Sequence, residues 1–325
     1  MPGPITALEV IQRATEVTPG TLVAATRRVQ AEPGSIDLSP IEQDTIRRRY
    51  TGSLATSHQT STGLERAGIS YETRGYYDDL AIDLSMFLGP AVITGAGADK
   101  VWTFTPSDSA DTLKRMSYEV GGRDTWPSEE KLAGCVGSSL TITWSKEDDW
   151  MESLELLSMR NTQAAKASVT NPTTLVPILG RTTRLFVDPT TFGTTSQALG
   201  ISGEITIETG VDRRYGTDGN AYANRIAVIG PRVVSCNFVA EYDAATLRTA
   251  WRAGTVQKVR IESPGPTLGS TTYNARFDIV GTFDTQTIGE DNGVITVEHE
   301  LVATYDTTLA ADIQAVVTCS LTALP

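Results

Sequence analysis

The sequence has few of the side chains on which most enzymes rely. Among its 325 residues it contains three cysteines and two histidines, which are Cys135, Cys236, Cys319, His58 and His299. The cysteines are far apart and lack the close spacing of metal ligands, so we expect buried, reduced thiols. His299-Glu300 is not followed by a second histidine at the spacing of a zinc protease. The sequence predicts no catalytic residue, no metal and no cofactor.

Phosphate-binding and nucleophile motifs are missing as well. Gly95-Ala96-Gly97 lacks the third glycine of a dinucleotide-binding loop, and neither a phosphate loop ending in Gly-Lys nor a Gly-x-Ser-x-Gly elbow occurs. Asp218-Gly219-Asn220 is only part of a calcium loop. It is expected to form a turn, and Asp148-Asp149 is expected to lie in a separate solvated turn after Trp144. The sequence therefore favours a protein that is not an enzyme.

Basic charge and long apolar runs are also scarce. The chain has 27 Lys and Arg against 39 Asp and Glu, a net charge of −12. This balance argues against tight DNA binding, which needs cations to displace phosphate counterions. No apolar run approaches the roughly 18 residues that cross a bilayer, and residues 1–13 lack the pattern of a signal peptide. We expect a protein made in the cytoplasm, without a membrane partner.

A set of residues that occurs twice is what the sequence does contain. Arg48-Arg49-Tyr50, Tyr77-Asp78 and Gly89 reappear 165 positions later as Arg213-Arg214-Tyr215, Tyr242-Asp243 and Gly254. A fixed offset of this kind indicates an internal repeat, and the length suits two domains with a core each. The sequence therefore predicts two copies of one fold.

Each copy is predicted to contain several strands and one helix. The segment 76–88 has apolar residues at helical spacing, with Asp78 and Asp79 in its first turn, and it ends at Gly89. The second helix follows Tyr242 and ends at Gly254. Strands are predicted at residues 22–26, 69–73, 101–105, 116–120, 139–144, 184–188, 258–262, 273–281, 294–304 and 315–321. Glu290-Asp291-Asn292-Gly293 is typical of a hairpin turn.

These elements predict a division of the chain into five parts. Residues 1–17 form an N-terminal arm with a short helix at 5–13, 18–160 the first domain, 161–180 a linker, 181–308 the second domain and 309–325 a C-terminal strand or arm. The polar segment 40–67 is too long for a plain turn, and loops of this length are often functional.

The repeated Arg-Arg-Tyr stretches are the candidate functional residues. They are Arg48, Arg49, Tyr50, Arg213, Arg214 and Tyr215. Binding of nucleic acid would require a wider basic patch with interleaved aromatic residues, which is missing. Arginine and tyrosine are enriched in protein interfaces, and arginine pairs bidentately with carboxylates. The sequence thus favours a contact with another protein chain, and a solvated loop is the alternative.

Four stretches carry a resemblance to a known family. They are Glu16-Val17-Thr18-Pro19-Gly20-Thr21-Leu22-Val23-Ala24-Ala25-Thr26, residues 132–142, Leu185-Phe186-Val187-Asp188 with Gly193-Thr194-Thr195 and Asp218-Gly219, and residues 305–324. Together they touch most of the chain, and it resembles the major tail tube proteins of long-tailed, non-contractile bacteriophages. The long segment 40–67 departs from the family pattern. The resemblance implies a mainly β (α+β) fold of two tandem β-sandwich or barrel domains, each with one flanking α-helix.

The same resemblance implies a structural role in the virion. Such a protein polymerises into stacked rings, which form the hollow tail tube through which DNA passes to the host without tight binding. Two copies per chain imply trimeric, pseudo-hexameric rings, with the tape measure and other tail proteins as partners. In the family a long loop reaches the next ring, and here it matches about 40–67 and 209–224. The six Arg and Tyr candidates would lie at or near these contacts.

Two other interpretations stay open. One is a different ring-forming tail component, such as a baseplate or tail terminator protein, which shares the fold but forms a single ring. The other is a carbohydrate-binding β-sandwich protein, for which exposed aromatic platforms are expected. Aromatic residues make up 7% of the chain and its tryptophans are not clustered, so the carbohydrate-binding interpretation ranks below the two interpretations as a tail protein.

Overall fold

The chain folds as a mainly β protein, as the sequence predicts. The computed structural model describes residues 9–39, 63–97, 99–122, 129–172, 174–197, 200–242 and 246–325. Within these residues, one continuous sheet contains 17 strands, and a separate ribbon contains 2. Two α-helices flank the sheet. None of the helices in these ranges is long and apolar enough to span a membrane.

The first half of the chain contains ten strands and a helix. They are β1 (Val10–Thr15), β2 (Arg27–Val29), β3 (Asp37–Ser39), β4 (Gly68–Arg74), α1 (Tyr77–Leu88), β5 (Val92–Thr94), β6 (Lys100–Phe104), β7 (Met116–Gly121), β8 (Glu130–Ser145), β9 (Met151–Leu157) and β10 (Arg160–Gln163). Antiparallel pairing gives the order β3–β4–β9–β8–β7–β1. β10 pairs with the start of β8, and β2 pairs with β1.

The second half repeats this pairing order. Its elements are β11 (Arg184–Asp188), β12 (Gly200–Glu208), β13 (Val211–Arg214), β14 (Arg225–Val228), β15 (Val233–Glu241), α2 (Thr246–Ala253), β16 (Gln257–Leu268), β17 (Thr271–Asp291), β18 (Val294–Ala303) and β19 (Ile313–Cys319). The order is β12–β15–β18–β17–β16–β11, with β19 on the start of β17. In each half the helix follows the second strand of this order.

Two ladders join the halves into one sheet. The end of β8, residues 139–145, pairs with residues 202–208 of β12. β6 pairs with β19 near the end of the chain. The hairpin β5–β6 has no counterpart in the second half, where the chain runs from α2 directly into β16. The core is also continuous, because Trp144 and Trp150 lie 5.9 Å apart and Trp150 lies 6.1 Å from Phe277 of the second half.

The two helices occupy equivalent places but differ in burial. All twelve residues of α1 are buried, because it packs between the halves, against β8 and β6 on one side and β19 and β17 on the other. Eight of its twelve residues are apolar, and the buried Asp78, Asp79 and Asp83 are bound by Ser320 and Arg13. None of the residues of α2 is buried. Gly89 and Gly254 follow the helices with positive φ values of 91° and 60°, so both predicted helix ends are confirmed.

Three local predictions are wrong. Residues 10–13, predicted as helix, belong to β1, so residues 10–15 of the predicted N-terminal arm form a paired strand. Residues 22–26 do not form a strand, because they make isolated hydrogen bonds and no ladder. The N–H of Val23 donates to Ser117 Oγ, and the N–H of Thr26 donates to the carbonyl of Arg13. The predicted linker begins within β10, whose residues 161–163 pair with β8.

The error at β1 has a tertiary cause. Gln12 and Arg13 are polar, yet both are buried, so β1 lacks the alternation by which a strand is recognised. Arg13 is buried because Asp79 and Asp83 of α1 bind its guanidinium, and these residues lie 66 and 70 positions away. Local sequence carries no sign of such partners.

Candidate functional site

The second Arg-Arg-Tyr stretch lies on the ribbon of β13 and β14. Arg213 donates a hydrogen bond from Nε to the carbonyl of Ser158 at 3.3 Å, and its Nη2 bonds the carbonyl of Ala67. The hydroxyl of Tyr215 donates to the carbonyl of Glu65 at 2.7 Å. Burial lowers the pKa of Arg213 from its usual value. These two side chains therefore fasten the ribbon to the body of their own chain.

Arg214 differs from its neighbours because it is exposed. It lies directly opposite Arg225 in the ladder between β13 and β14, and Arg225 is exposed as well. Like charges in directly opposite positions destabilise a strand pair. A carboxylate from outside the ribbon would relieve this repulsion, so the pair is suited to an acidic contact. The connecting loop is a turn, in which Asp218 accepts a hydrogen bond from the N–H of Asn220.

The first Arg-Arg-Tyr stretch falls outside the described residues. Arg48, Arg49 and Tyr50 lie in the gap between Ser39 and residue 63, as does His58. The structure thus places the second set of candidates only. Within that set, Arg213 and Tyr215 bond the same segment, residues 65–67, while Arg214 points to solvent.

An open strand edge is the feature that the sequence analysis missed. Residues 282–291 of β17 pair with β18 on one side, and in the described part of the chain no strand pairs with their other side. We call residues 282–291 the free edge. Ile288 on this edge is 61% exposed. The signal in the sequence was the length of the β-prone run from 271 to 291, which exceeds what one partner strand requires.

The repeated Tyr-Asp pair near the start of each helix has different surroundings in the two halves of the chain. The hydroxyl of Tyr77 donates to the carbonyl of Ser263 at 3.1 Å, and its ring lies 5.3 Å from that of Tyr273. Burial raises the pKa of Tyr77 to about 12. Asp78 accepts two hydrogen bonds from Ser320, at 2.9 and 2.7 Å. Tyr77-Asp78 thus binds the second half of the chain, whereas the equivalent Tyr242 is 42% exposed.

A cluster of buried carboxyl groups surrounds Arg13 inside the first half. Asp79 bonds Arg13 at 3.0 Å and Arg27 at 2.8 Å, and Asp83 bonds Arg13 as well. Burial raises the pKa of Asp83 to about 6. Both carboxyl oxygens of Glu152 are buried without a hydrogen bond, and burial raises its pKa. The cluster is closed to solvent, so it serves the fold and offers no binding surface.

The remaining candidates are structural. The three cysteines are buried and unpaired, as predicted, and burial raises the pKa of each thiol, which keeps it unreactive. His299 stacks on Phe238 at 5.2 Å between centroids, and burial lowers its pKa to about 4. The described residues hold no cluster of three metal-ligating side chains. A groove of about 700 Å³ lies beside α2, between Leu247 and the sheet.

The comparisons with known proteins agree with these features. A family model described as phage tail tube protein matches residues 6–314, which is nearly the whole chain. A search of curated proteins finds no match. The match extends over both halves of the repeated sheet, over the free edge and over both helices. The chain therefore belongs to the phage tail tube protein family.

Proposed function

We propose that this chain polymerises into stacked rings, which form the hollow tail tube of a long-tailed, non-contractile bacteriophage. Phage DNA passes through this tube to the host. The family match over residues 6–314 supports the structural role. The proposals of ring formation and of DNA passage through the ring are inferred from the architecture of the sheet. The protein would be made in the host cytoplasm and end in the virion.

The repeated pairing order is the observation that carries the proposal. Two copies of one fold stand side by side in the chain, joined where β12 of one copy adds to β8 of the other. We propose the domain boundaries of the sequence analysis, 18–160 and 181–308, with β1 and the remainder of β10 added to the first copy and β19 to the second. Three chains would then make a pseudo-sixfold ring.

The charge of the chain suits a conduit for DNA. A net charge of −12 disfavours the release of phosphate counterions that tight DNA binding requires. A wall that repels or weakly contacts a polyanion lets it slide. The tape measure protein and other tail components are the proposed partners in the virion.

Contacts between successive rings are proposed for the two long loops. In the second copy this is the region 209–224, in which Arg213 and Tyr215 fasten the ribbon and the exposed Arg214 faces outward. A carboxylate on the next ring would offset the repulsion between Arg214 and Arg225. Arg48, Arg49 and Tyr50 are proposed to serve the same purpose in the first copy.

Microscopy of the purified protein tests the proposal. Negative staining should show long fibres of constant width, and native mass spectrometry should find three chains per ring. Single discs would favour a baseplate or terminator protein instead. Six chains per ring would contradict the use of both copies in one ring, and a lasting monomer would contradict the tube itself.

The carbohydrate-binding alternative gains no support from the surface. Among the large apolar side chains that are exposed in the described ranges, the aromatic ones are Tyr242 and Tyr305. Binding of sugars usually employs aromatic platforms on which rings can stack, and the sheet faces offer none within these ranges.

A further inference from the structure

We propose that the free edge of β17 binds β3 of a second copy of this chain, as an added antiparallel strand. Leu38 of the second copy would lie opposite Phe283, and Asp37 opposite Thr285. The inference rests on the proposed ring assembly and names the surfaces through which one chain joins the next. The two halves of a single chain already join in this way.

The joint inside the chain supplies the template. β12 runs along the outer side of β8, with Ile207 opposite Leu140 and Thr206 opposite Thr141. β12 therefore stands between two strands, β15 of its own half and β8 of the first half. In this arrangement the strand at one end of a copy's pairing order extends the sheet of the other copy.

The strand equivalent to β12 in the first half is β3. Leu38 of β3 lies opposite Ile69 of β4, and Ile207 of β12 lies opposite Val234 of β15. Ile69 and Val234 are 165 positions apart, which is the offset of the sequence repeat. Among the described residues β3 pairs with β4 alone, and its other side is open. β3 is therefore available to a neighbour in the way that β12 is used within the chain.

The strand equivalent to β8 in the second half is β17. Tyr71 of β4 lies opposite Leu154 of β9, which lies opposite Leu140 of β8. In the second half Cys236 lies opposite Leu301 of β18, which lies opposite Phe283 of β17. Phe283 thus occupies the place of Leu140.

The same pairing fixes the next residue of the register. Thr141 lies opposite Ser153 of β9, and Thr285 lies opposite Glu300 of β18. Thr285 therefore occupies the place of Thr141, one step beyond the bulge at Asp284. Because Thr206 lies opposite Thr141 within the chain, its equivalent Asp37 is expected opposite Thr285 in the joint between chains.

An apolar side chain on the free edge is exposed, whereas its equivalent on β8 is covered. Trp144 near the end of β8 is 7% exposed. Its ring lies against Gly203, which is directly opposite on the adjacent strand β12. Ile288, its equivalent on β17, is 61% exposed. A long open edge with apolar side chains readily pairs with another chain. A second copy is the occupant that the chain itself shows to fit this place.

Helix α2 marks the same side of the molecule. The indole N–H of Trp251 donates to the carbonyl of Asp284 at 3.0 Å, so α2 lies at the start of the free edge. The equivalent helix α1 is buried and contacts β19 and β17 of the second half as well as β8 and β6 of its own half. Tyr242 is thus exposed on the side where the neighbour would sit.

Engineered cysteines test the register. The double variant Asp37→Cys with Thr285→Cys places two thiols that lie far apart in one chain but opposite each other across the proposed joint, where facing Cβ atoms are about 5 Å apart. Under a short thiol-to-thiol reagent, the assembled full chain should give a ladder of covalent dimers and trimers on a denaturing gel. The native cysteines are buried and should stay silent.

A matched pair inside the chain serves as the control. Thr141→Cys with Thr206→Cys occupies the equivalent positions at the β8–β12 joint, so it should close within one chain and leave the mass of a monomer. Asp37→Cys alone should give no ladder, and neither should Asp37→Cys with Glu290→Cys, which is displaced by about 17 Å along the strand.

The outcomes separate this inference from the proposed function. Tubes that form without the Asp37–Thr285 cross-link, or with equal linking of the displaced pair, would overturn the inference and leave the tube intact. A chain that stays monomeric at every concentration would overturn both. Cross-linked trimers in a preparation that forms single discs would support the joint and contradict the stacked tube.

Discussion

Glu152 is a buried carboxyl whose oxygens lack hydrogen bonds in the described structure. Its pKa is raised in the folded state, first by burial and then by Asp83, so at pH values between the unfolded and the folded pKa the folded chain holds a proton that the unfolded chain has released. Stability that depends on this group is present at pH values below the unfolded pKa of about 4.5 and is lost as the pH rises through the folded pKa.

Replacing Glu152 by Gln should therefore stabilise the protein at neutral pH, by on the order of 1–3 kcal/mol. The gain over the natural chain should shrink as the pH falls towards 4.5. Thermal unfolding at several pH values measures it. Glu155→Gln is the control, since Glu155 is exposed on the same strand, β9. An equal gain at every pH would show that desolvation of the charged carboxylate is not the cause.

The two tyrosines of the repeated pair differ in environment and should differ in effect. Tyr77→Ala removes a buried ring and should lower the free energy of unfolding by about 3–5 kcal/mol. Tyr242→Ala removes a ring that is 42% exposed and should change stability by less than about 0.5 kcal/mol.

Assembly is expected to respond in a different way from stability. If Tyr242 meets the next chain as Tyr77 meets the second half, Tyr242→Ala should slow or prevent fibre formation while the monomer unfolds normally. Light scattering and thermal unfolding of the same preparation separate the two effects. Unimpaired fibres would exclude Tyr242 from the joint between chains.

At the scale of elements, the ribbon of β13 and β14 is the proposed contact with the next ring. Arg214→Glu removes a charge that should pair across rings and adds one of the wrong sign. Rings should still form, because the proposed joint within a ring lies elsewhere, but tubes should be shorter. Tube lengths in micrographs measure this effect.

The control for the ribbon is Arg184→Glu. Arg184 is exposed on β11, outside the ribbon, and its replacement changes the net charge by the same amount. Shortened tubes with both variants would indicate general repulsion between acidic chains. Tubes of normal length with Arg214→Glu would rule out Arg214 as a contact between rings.

Elements set by short-range chemistry were predictable from the sequence. α1 carries its own apolar pattern and its terminal Gly89, and the turn after β17 carries Asn292 and Gly293, whose φ values of 51° and 84° suit a tight hairpin. The predicted bounds of β11, β18 and β19 lie within two residues of the observed ends, those of β16 and β17 cover only part of each strand, and β12 to β15 are not predicted. The repeat itself was visible from a handful of residues at one offset.

Elements set by long-range partners were not predictable. Arg13 is buried by carboxylates that follow more than sixty residues later, so the local pattern predicts a helix where β1 forms. The joint of β8 with β12 depends on which strand pairs with the open edge of β8. The hydrophobic periodicity of a strand does not specify its partner. The free edge therefore depends on the complete set of strand pairings, which the local sequence does not contain.

At the scale of the whole molecule, acidity opposes assembly. Each chain carries a net charge of −12, and charges on neighbouring copies repel over about 30 Å at 0.01 M salt but only about 8 Å at 0.15 M. Fibre growth, followed by light scattering, should therefore accelerate with added salt. Growth that slows with salt would mean that ion pairs across the joints outweigh the repulsion.

The hairpin β5–β6 gives the molecule an asymmetry with a mechanical consequence. Inside a chain, the halves are held by two ladders and a continuous backbone, and β6 supplies one of those ladders through β19. The second half has no such hairpin, so a neighbouring chain can be held by fewer strands. A ring of three would then alternate stiff and compliant seams, and a bent or stretched tube should open at every second seam and shed whole chains.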